Sequence, residues 1–405
     1  MTLQRRPLEG IVVLDLGQIY QGPYATFLMA MAGAKVIKVE PPTGEYLRAR
    51  ADVGGAAMPF SMLNSNKESV LVDLKVPAGR ELFLEMVRRA DVVVENFAPE
   101  TMERLGLGWN VLHAANPRLI YAFGSGYGRS GPYASYPAMD LTIQAMAGIM
   151  SITGFPEREP VKSGPALCDF FGGIHLYAGV VTALYERATT GIGRSVDVSL
   201  QDAVYPSLAS NLSLWYSSGG AAPPRTGNKH GGLAASPYNV YPTSDGNIAI
   251  ICVGQRQWGW ITEAMGRPDL KDDPRFHDLR ARCQNMDELD AIIGEWTRGY
   301  DKETLFAHLL HHRVPAAPVR NLDEVVSDPN MHARGMLTWV DHPEYGRLVL
   351  PNSPIRYSGL EPLALRPSPR LDENGQQVLG DWLGLTEAEI AELRQQGAVG
   401  AAPTA

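Results

Sequence analysis

Short, continuously apolar runs alternate with helical patterns through the first 125 residues, and this alternation limits the fold more tightly than any other feature of the chain. Residues 10–16 (GIVVLDL) form a strand candidate, followed by the polar turn 17–22 and a helical pattern over 23–31. Residues 35–40 (KVIKVE) form a second strand candidate that stops at Pro41-Pro42, which gives strand, helix, strand at the spacing of a βαβ unit. The pattern repeats with strands at 69–73, 90–95 (ADVVVE) and 119–123 (LIYAF), and helices at 79–89 and 99–105. A strand that is apolar at every position is buried on both faces, so the expectation is an α/β fold with a parallel sheet covered by helices on either side. Ligands of such sheets bind beyond the carboxyl ends of the strands. The turn 17–22, Asn96 and the glycine-rich loop 124–131 (GSGYGRSG) all fall there.

Helical patterns follow at 140–150 and 172–187, then a strand candidate at 195–199 and a helix over 200–216. Residues 217–232 are rich in Gly, Pro and Ser, the strongest linker signal in the chain, and they close a large domain over 1–216. Beyond them, 238–241 and 247–253 flank Ser244-Asp245-Gly246 as a hairpin, with amphipathic helices at 258–265, 286–297 and 302–311. This reads as a smaller α+β domain over 233–330. The remainder, 331–405, holds a second hairpin turning at Glu344-Tyr345-Gly346 and a last helix at 386–396. Tails of that kind often return to the first domain.

A chain of 405 residues exceeds what one core usually supports, in keeping with more than one domain. The formal net charge of -8, with no dense block of Lys and Arg, argues against a nucleic-acid partner. Cys168, Cys252 and Cys283 are far apart and form no C-x-x-C pair, so neither a disulfide framework nor a metal knuckle is indicated. The amino terminus lacks the apolar core of a signal peptide, and no run of about 18 uninterrupted apolar residues occurs. A cytoplasmic protein without a membrane span is expected.

Asp169 is the carboxylate that invites a chemical reading. It stands in SGPALCDFFGG (163–173), between small residues and an apolar helix. An aspartate before a helix is ordinarily an N-cap accepting backbone N–H groups, and that role can coexist with chemistry. Phe170 and Phe171 would keep solvent away, and Gly172 and Gly173 would let another backbone or a ligand come close. A partly desolvated carboxylate is a stronger nucleophile than a hydrated one. The glycine loop can cradle phosphates or an acyl group, or be a surface turn; it matches neither the P-loop nor the G-x-G-x-x-G pattern. His308, His311 and His312 have no Cys or carboxylate companions and read as solvent-exposed rather than as a metal site. Asp15 reads as a structural acceptor, and His175 as a residue packing along the helix. No G-x-S-x-G or H-E-x-x-H motif supports a hydrolase.

Taken together, GIVVLDL to GPYAT (10–26), GAKVIKVEPP (33–42), NSNKESVLVDLK (64–75), ADVVVENF (90–97), GYGRSGPY (126–133), the stretch around Asp169, TTGIGRSVDVSLQDA (189–203) and TGNKH (226–230) make the chain resemble the class III coenzyme A transferases. That family includes formyl-CoA:oxalate and carnitine CoA-transferases, with α-methylacyl-CoA racemase as a cousin. The resemblance implies an interlocked homodimer, each chain with a large Rossmann-like domain, a small domain and a C-terminal part returning to the large one. It implies no permanently bound cofactor: acyl-CoA is a substrate, and the partner is a small carboxylic acid. The position matching Asp169 attacks the donor thioester to give a mixed anhydride, and CoA then passes through an aspartyl-CoA thioester.

By the same resemblance Asn96 and Phe97 line the CoA nucleotide, Lys75 and Arg104 lie near adenine and phosphate, and Gly126 and Tyr127 belong to the glycine loop of the site. Arg104 also reads as a surface salt-bridge residue. Gln18, Ile19 and Tyr20 stand where the oxalate enzyme has His, Val and Gln; Gln18 and Tyr20 can both donate hydrogen bonds to an oxyanion. The racemases carry His-Asp where this chain has Met139-Asp140, and methionine carries no proton. Asp140 is then a residue that holds a helix start or assists near the thioester. Where the oxalate enzyme has a run of glycines, this chain has GGLAAS (231–236), which points to an acid bulkier than oxalate. A short dicarboxylyl-CoA such as succinyl-CoA is the expected donor, with Arg48, Arg50, Lys229 and His230 as candidates for the far carboxylate. Two other readings stay open: an isomerase on the same fold (a racemase or an intramolecular transferase) and a non-catalytic acyl-CoA binding subunit. A sister subunit is compatible with either.

Overall fold

The computed structural model describes residues 5–48 and 57–400, so Arg50 lies outside the described residues. Two compact units emerge. The first gathers residues from 1–143, 165–204 and 326–405, and the second 144–164 and 205–325.

The first unit is built on six parallel strands: β1 (Val12–Asp15), β2 (Lys35–Glu40), β3 (Glu68–Leu71), β4 (Val92–Glu95), β5 (Ile120–Ser125) and β6 (Ser195–Ser199). Their order is β3-β2-β1-β4-β5-β6, with every pairing parallel. The apolar runs are continuous because alternate residues serve different layers. Leu14, Ile37, Val93 and Tyr121 pack with Phe83, Met86 and Ile390 on one face. Val13, Val36, Val92 and Ile120 pack on the other with Ala25, Met29, Leu176 and Val180. The helices used below are α1 (Gln21–Met31), α2 (Pro77–Arg89), α3 (Asp140–Met146) and α4 (Leu167–Thr190). Strand order reverses between β1 and β4, so the crevice for a ligand opens between the loops that follow those two strands.

Beneath that crevice lies a buried ionic cluster. Asp15 accepts from Lys67 Nζ and Thr26 Oγ1, both at 2.8 Å, and from the Gly17 N–H at 2.8 Å. Lys67 also donates to Asn64 Oδ1 (2.9 Å) and the Pro23 carbonyl (3.0 Å), so both charges are paired and hydrogen-bonded, which is what makes burial tolerable. Asp15 is thus the structural acceptor expected, and it fixes the start of the β1 loop.

The carboxyl-terminal residues of the first unit cover the β3 edge. Val72 bridges Val399, Asp73 N–H donates to the Ala398 carbonyl (2.9 Å), and Leu71 N–H donates to Asp372 Oδ1 (2.8 Å). An edge strand is otherwise a template for unwanted pairing. The hairpin expected at 344–346 joins β10 (Leu337–His342) to β11 (Gly346–Pro351).

The second unit has a three-stranded antiparallel sheet of β7 (Tyr238–Pro242), β8 (Asn247–Ile251) and β9 (Ala316–Pro318). Helices Gln255–Ala264, Met286–Thr297 and Lys302–His311 close a core around Trp258, Phe276, Leu289 and Leu305. Residues 217–232, read from composition as a linker, fall inside this unit. There Arg225 donates to the carbonyls of Ser151 (3.3 Å), Phe155 (3.2 Å) and Arg158 (2.9 Å). His308, expected to be exposed, is half-buried and bonds the Ala264 carbonyl through Nε2 at 2.8 Å.

Several helices differ from expectation. The pattern at 140–150 breaks at Gly148, whose φ of 87° ends one helix and starts the short Ile149–Ile152 turn. That at 200–216 is interrupted by a 3₁₀ turn at Tyr205–Leu208, where Pro206 supplies no N–H for an α-helical bond. The helix expected at 172–187 is longer at both ends, and this bears on the site.

Candidate active site

Asp169 lies in the first turn of α4 rather than ahead of it, so it is not the N-cap. That position belongs to Ala166, whose methyl group cannot accept a hydrogen bond. The capping acceptor comes from elsewhere in the fold: Asp140 Oδ1 accepts from the N–H groups of Cys168 (2.8 Å) and Asp169 (3.3 Å). Asp140 therefore holds a helix start, and this releases the Asp169 carboxylate from backbone work. No donor among the described residues reaches that carboxylate. Burial, and then the charge of Asp140, push its acid from an ordinary value of 3.8 up to about 7.

Phe170 shields this turn by stacking on Tyr20 (5.9 Å between centroids) and meeting Tyr24 edge-on at 4.9 Å. Phe171 does not share in the shielding, since its ring is exposed. His175 also points outward, with Nδ1 2.8 Å from the Phe171 carbonyl, rather than packing as expected. The glycine pair behaves as anticipated. A Cβ on Gly172 would lie 2.4 Å from Leu200 Cδ2, and one on Gly173 2.9 Å from the Gln21 carbonyl oxygen, a backbone atom of α1, so at 173 glycine lets α4 approach α1 this closely.

Across the switch point, Asn96 Oδ1 accepts from the Gln18 N–H (2.7 Å) while its Nδ2 donates to the Gln18 carbonyl (2.9 Å). The loops after β1 and β4 are thereby fastened together. Ile19 is held at a φ of 63°, costly for a β-branched residue, with its N–H given to Glu45 Oε1 at 2.7 Å. Tyr20 follows. Desolvation and the charges of Asp169, Asp140 and Glu45 raise its phenol above 10.0, so it remains a hydrogen-bond donor.

A cavity of about 490 Å³ opens here. Asp169, Gln18, Asn96, Phe97, Gly126 and Tyr127 all border it, although they are far apart in the chain. The wall residues that sequence reasoning missed include Gln21, Tyr136 and Thr142; Met139, read from the sequence as a position that carries no proton, also borders the cavity. Tyr136 belongs to a cluster with Tyr127 (6.1 Å) and Tyr133 (5.0 Å), and the tyrosines of GPYASYP (131–137) were the available signal. The glycine loop is anchored by Gly128 N–H to Ser125 Oγ (2.8 Å) and Arg129 N–H to Asp197 Oδ2 (2.8 Å).

Other expected residues stand apart from this wall. Lys75 is exposed after β3, and Arg104 is exposed with Nη2 on Thr101 Oγ1 at 3.0 Å. Arg48 grips Glu40 through Nε (2.7 Å) and Nη2 (2.9 Å), donates to the Pro369 carbonyl (2.7 Å) and covers the Phe60 ring at 4.0 Å. Its guanidinium is spent on the fold. Lys229 and His230 belong to the second unit, where Lys229 pairs with Asp287 and His230 Nδ1 accepts from Gly232 (3.1 Å) and Ala234 (3.3 Å). Among the described residues no cluster of three or more His, Cys, Asp or Glu side chains could hold a metal.

A parallel α/β sheet with a desolvated carboxylate beside a cavity at its open end is an arrangement that suits an α/β group-transfer enzyme. The model of CoA-transferase family III matches residues 8–375, and the chain belongs to that family and is a CoA-transferase. It is 38% identical to an acetyl-CoA:oxalate CoA-transferase of Acetobacter aceti over 374 residues, 91% of this chain and 94% of that one. It is equally 38% identical to a succinyl-CoA:mesaconate CoA-transferase of Haloarcula hispanica over 385 residues, covering 92% and 96%. A crystal structure of a CAIB/BAIF family protein from Brucella suis superposes with a TM-score of 0.81 at 35% identity, covering 93% of this chain and all of the other.

Proposed function

We propose that the protein transfers CoA from a short dicarboxylyl-CoA, with succinyl-CoA as the first candidate, to a free carboxylic acid, and that Asp169 carries the group between them. The observation that carries this reading is the Asp169 carboxylate itself: desolvated, reached by no hydrogen-bond donor among the described residues, and at the wall of a cavity. Its oxygen attacks the thioester carbonyl, the C–S bond breaks, and a mixed anhydride and CoA thiolate result. The thiolate then attacks the Asp169 carbonyl of the anhydride, releasing the donor acid and leaving an aspartyl-CoA thioester. The acceptor carboxylate attacks that thioester, and the thiolate finally takes the acceptor's acyl group, restoring Asp169. Each step exchanges one activated acyl bond for another, so none needs ATP or a metal. Gln18 and Tyr20 are the candidate donors to the developing oxyanions.

Named activities of the relatives support the substrate class. Besides oxalate and mesaconate they include succinyl-CoA with D-citramalate in a Chloroflexus aurantiacus enzyme. A racemase role is disfavoured because Met139, at the cavity wall, has no proton to exchange. We further read the enzyme as a cytoplasmic homodimer, interlocked as in the family. Helix α4 is long and apolar enough to cross a membrane by composition alone, yet Leu176, Val180 and Ala183 lie in the core. Its exposed apolar residues Phe171, Ile174 and Tyr185 suit a second copy.

Incubation with succinyl-CoA and a panel of free acids, followed by chromatography of the CoA esters, tests the reading. A new ester from oxalate, mesaconate, citramalate or glutarate would name the acceptor. No ester from any acid would reject succinyl-CoA as donor; position exchange within mesaconyl-CoA alone would instead establish an intramolecular enzyme.

A further inference from the structure

We propose that Gln21 determines which acyl groups the enzyme accepts, its carboxamide hydrogen-bonding a polar substituent on the acid being transferred. The inference rests on the transferase reading above. Gln21 opens α1, is 2% exposed and borders the cavity that Asp169 borders. Two glycines make room for its carboxamide. A Cβ on Gly124 would come within 2.6 Å of Gln21 Oε1, and one on Gly172 within 2.9 Å of Nε2. Gly172 follows Asp169 by three residues on α4, so the two share a helix face, and the carboxamide lies one turn beyond the nucleophile.

The hydrogen bonding of this side chain is unfinished. Among the described residues its one bond is a long Nε2 contact to the Val198 carbonyl at 3.4 Å. A carboxamide offers two donor hydrogens and an oxygen with two lone pairs, and enclosed polar groups are normally satisfied. The unmet capacity sits at the wall of a cavity, where a substrate can meet it. The described residues bordering that cavity include no Lys, Arg or His, so recognition there proceeds through neutral hydrogen bonds rather than an ion pair. A hydroxyl satisfies such a group, as does a carboxylate that takes the Nε2 hydrogens. A methyl group in the same place leaves the amide unpaired, and sites built to hydrogen-bond a substrate reject analogues lacking the partner far more strongly than apolar pockets reject a missing methylene.

The test uses three four-carbon donors that differ at the far end: succinyl-CoA, 4-hydroxybutyryl-CoA and butyryl-CoA. Exchange of each labelled free acid into its own CoA ester gives kcat/KM for the full-length enzyme, for Gln21→Met, which keeps the side-chain length, and for Gln21→Glu. The expected result is a preference for both polar donors over butyryl-CoA that falls at least about tenfold in Gln21→Met. Gln21→Glu should lower the succinyl-to-hydroxybutyryl ratio by a similar factor, because the new carboxylate repels the succinyl one. Ratios unchanged in both variants would overturn the role of Gln21, whatever happens to absolute rates. A folded wild type that exchanges none of the three acids would overturn the proposed substrate class and this inference with it.

Discussion

A carboxylate held near pH 7 is a compromise between reactivity and stability, and Asp169 exposes both sides of it. Only the ionised form attacks a thioester. With the acid pushed up to about 7, kcat/KM should rise with pH and level off above that value. The folded-state value lies above the ordinary 3.8, so the native protein binds the proton more tightly than the unfolded chain does. Stability from this group therefore declines as pH rises from about 4 to about 7 and stays low above. Asp169→Asn should abolish transfer yet stabilise the protein at pH 8, on the order of 1–3 kcal/mol, with the gain vanishing near pH 4. Thermal melts at the two pH values decide it; equal effects at both would mean that burial does not perturb this group. Asp140 is the other half of the arrangement. Asp140→Asn keeps an acceptor for the start of α4 but removes the charge that raises Asp169. The acid limb of the pH–rate profile should then move to lower pH; a shift the other way would contradict the assignment.

At the scale of elements, α1 and α4 meet closely because residue 173 is a glycine. Gly173→Ala places a Cβ 2.9 Å from the Gln21 carbonyl oxygen and 3.1 Å from the Tyr24 ring, both on α1, and should cost about 1–3 kcal/mol in denaturant unfolding, with activity falling further than stability alone explains. An unchanged midpoint would mean that α1 and α4 can separate without penalty. The sequence disclosed much at this scale because its signals are local. The β2 and β6 runs coincide with their strands residue for residue, and an apolar run bounded by turns needs no distant partner to be recognised. Long-range effects hid the rest. A cap role stood beside the chemical one for Asp169 because local pattern cannot show that Asp140, 29 residues earlier, supplies the acceptor. Arg48 read as a ligand for the same reason: its partner Glu40 is revealed only when β2 and the following loop fold together. Gln21 was passed over since a glutamine at a helix start carries no signal until Gly124 and Gly172 close around it.

For the molecule as a whole, the parallel sheet does the assembling. Its reversal between β1 and β4 fastens Gln18 to Asn96, and the loop after β5 adds Gly126 and Tyr127 to the same cavity. If the apolar residues left exposed along α4 meet a second copy, sedimentation should give about twice the 44.1 kDa of the chain, and a monomer at micromolar concentration would count against that surface. The central claim, however, is that one carboxylate carries the transferred group. Peptide mass spectrometry after rapid acid quench of the enzyme with succinyl-CoA tests it most directly. A CoA or succinyl adduct is expected on the peptide containing Asp169 and absent from Asp169→Asn; an adduct on another residue, or transfer that survives in Asp169→Asn, would contradict that role.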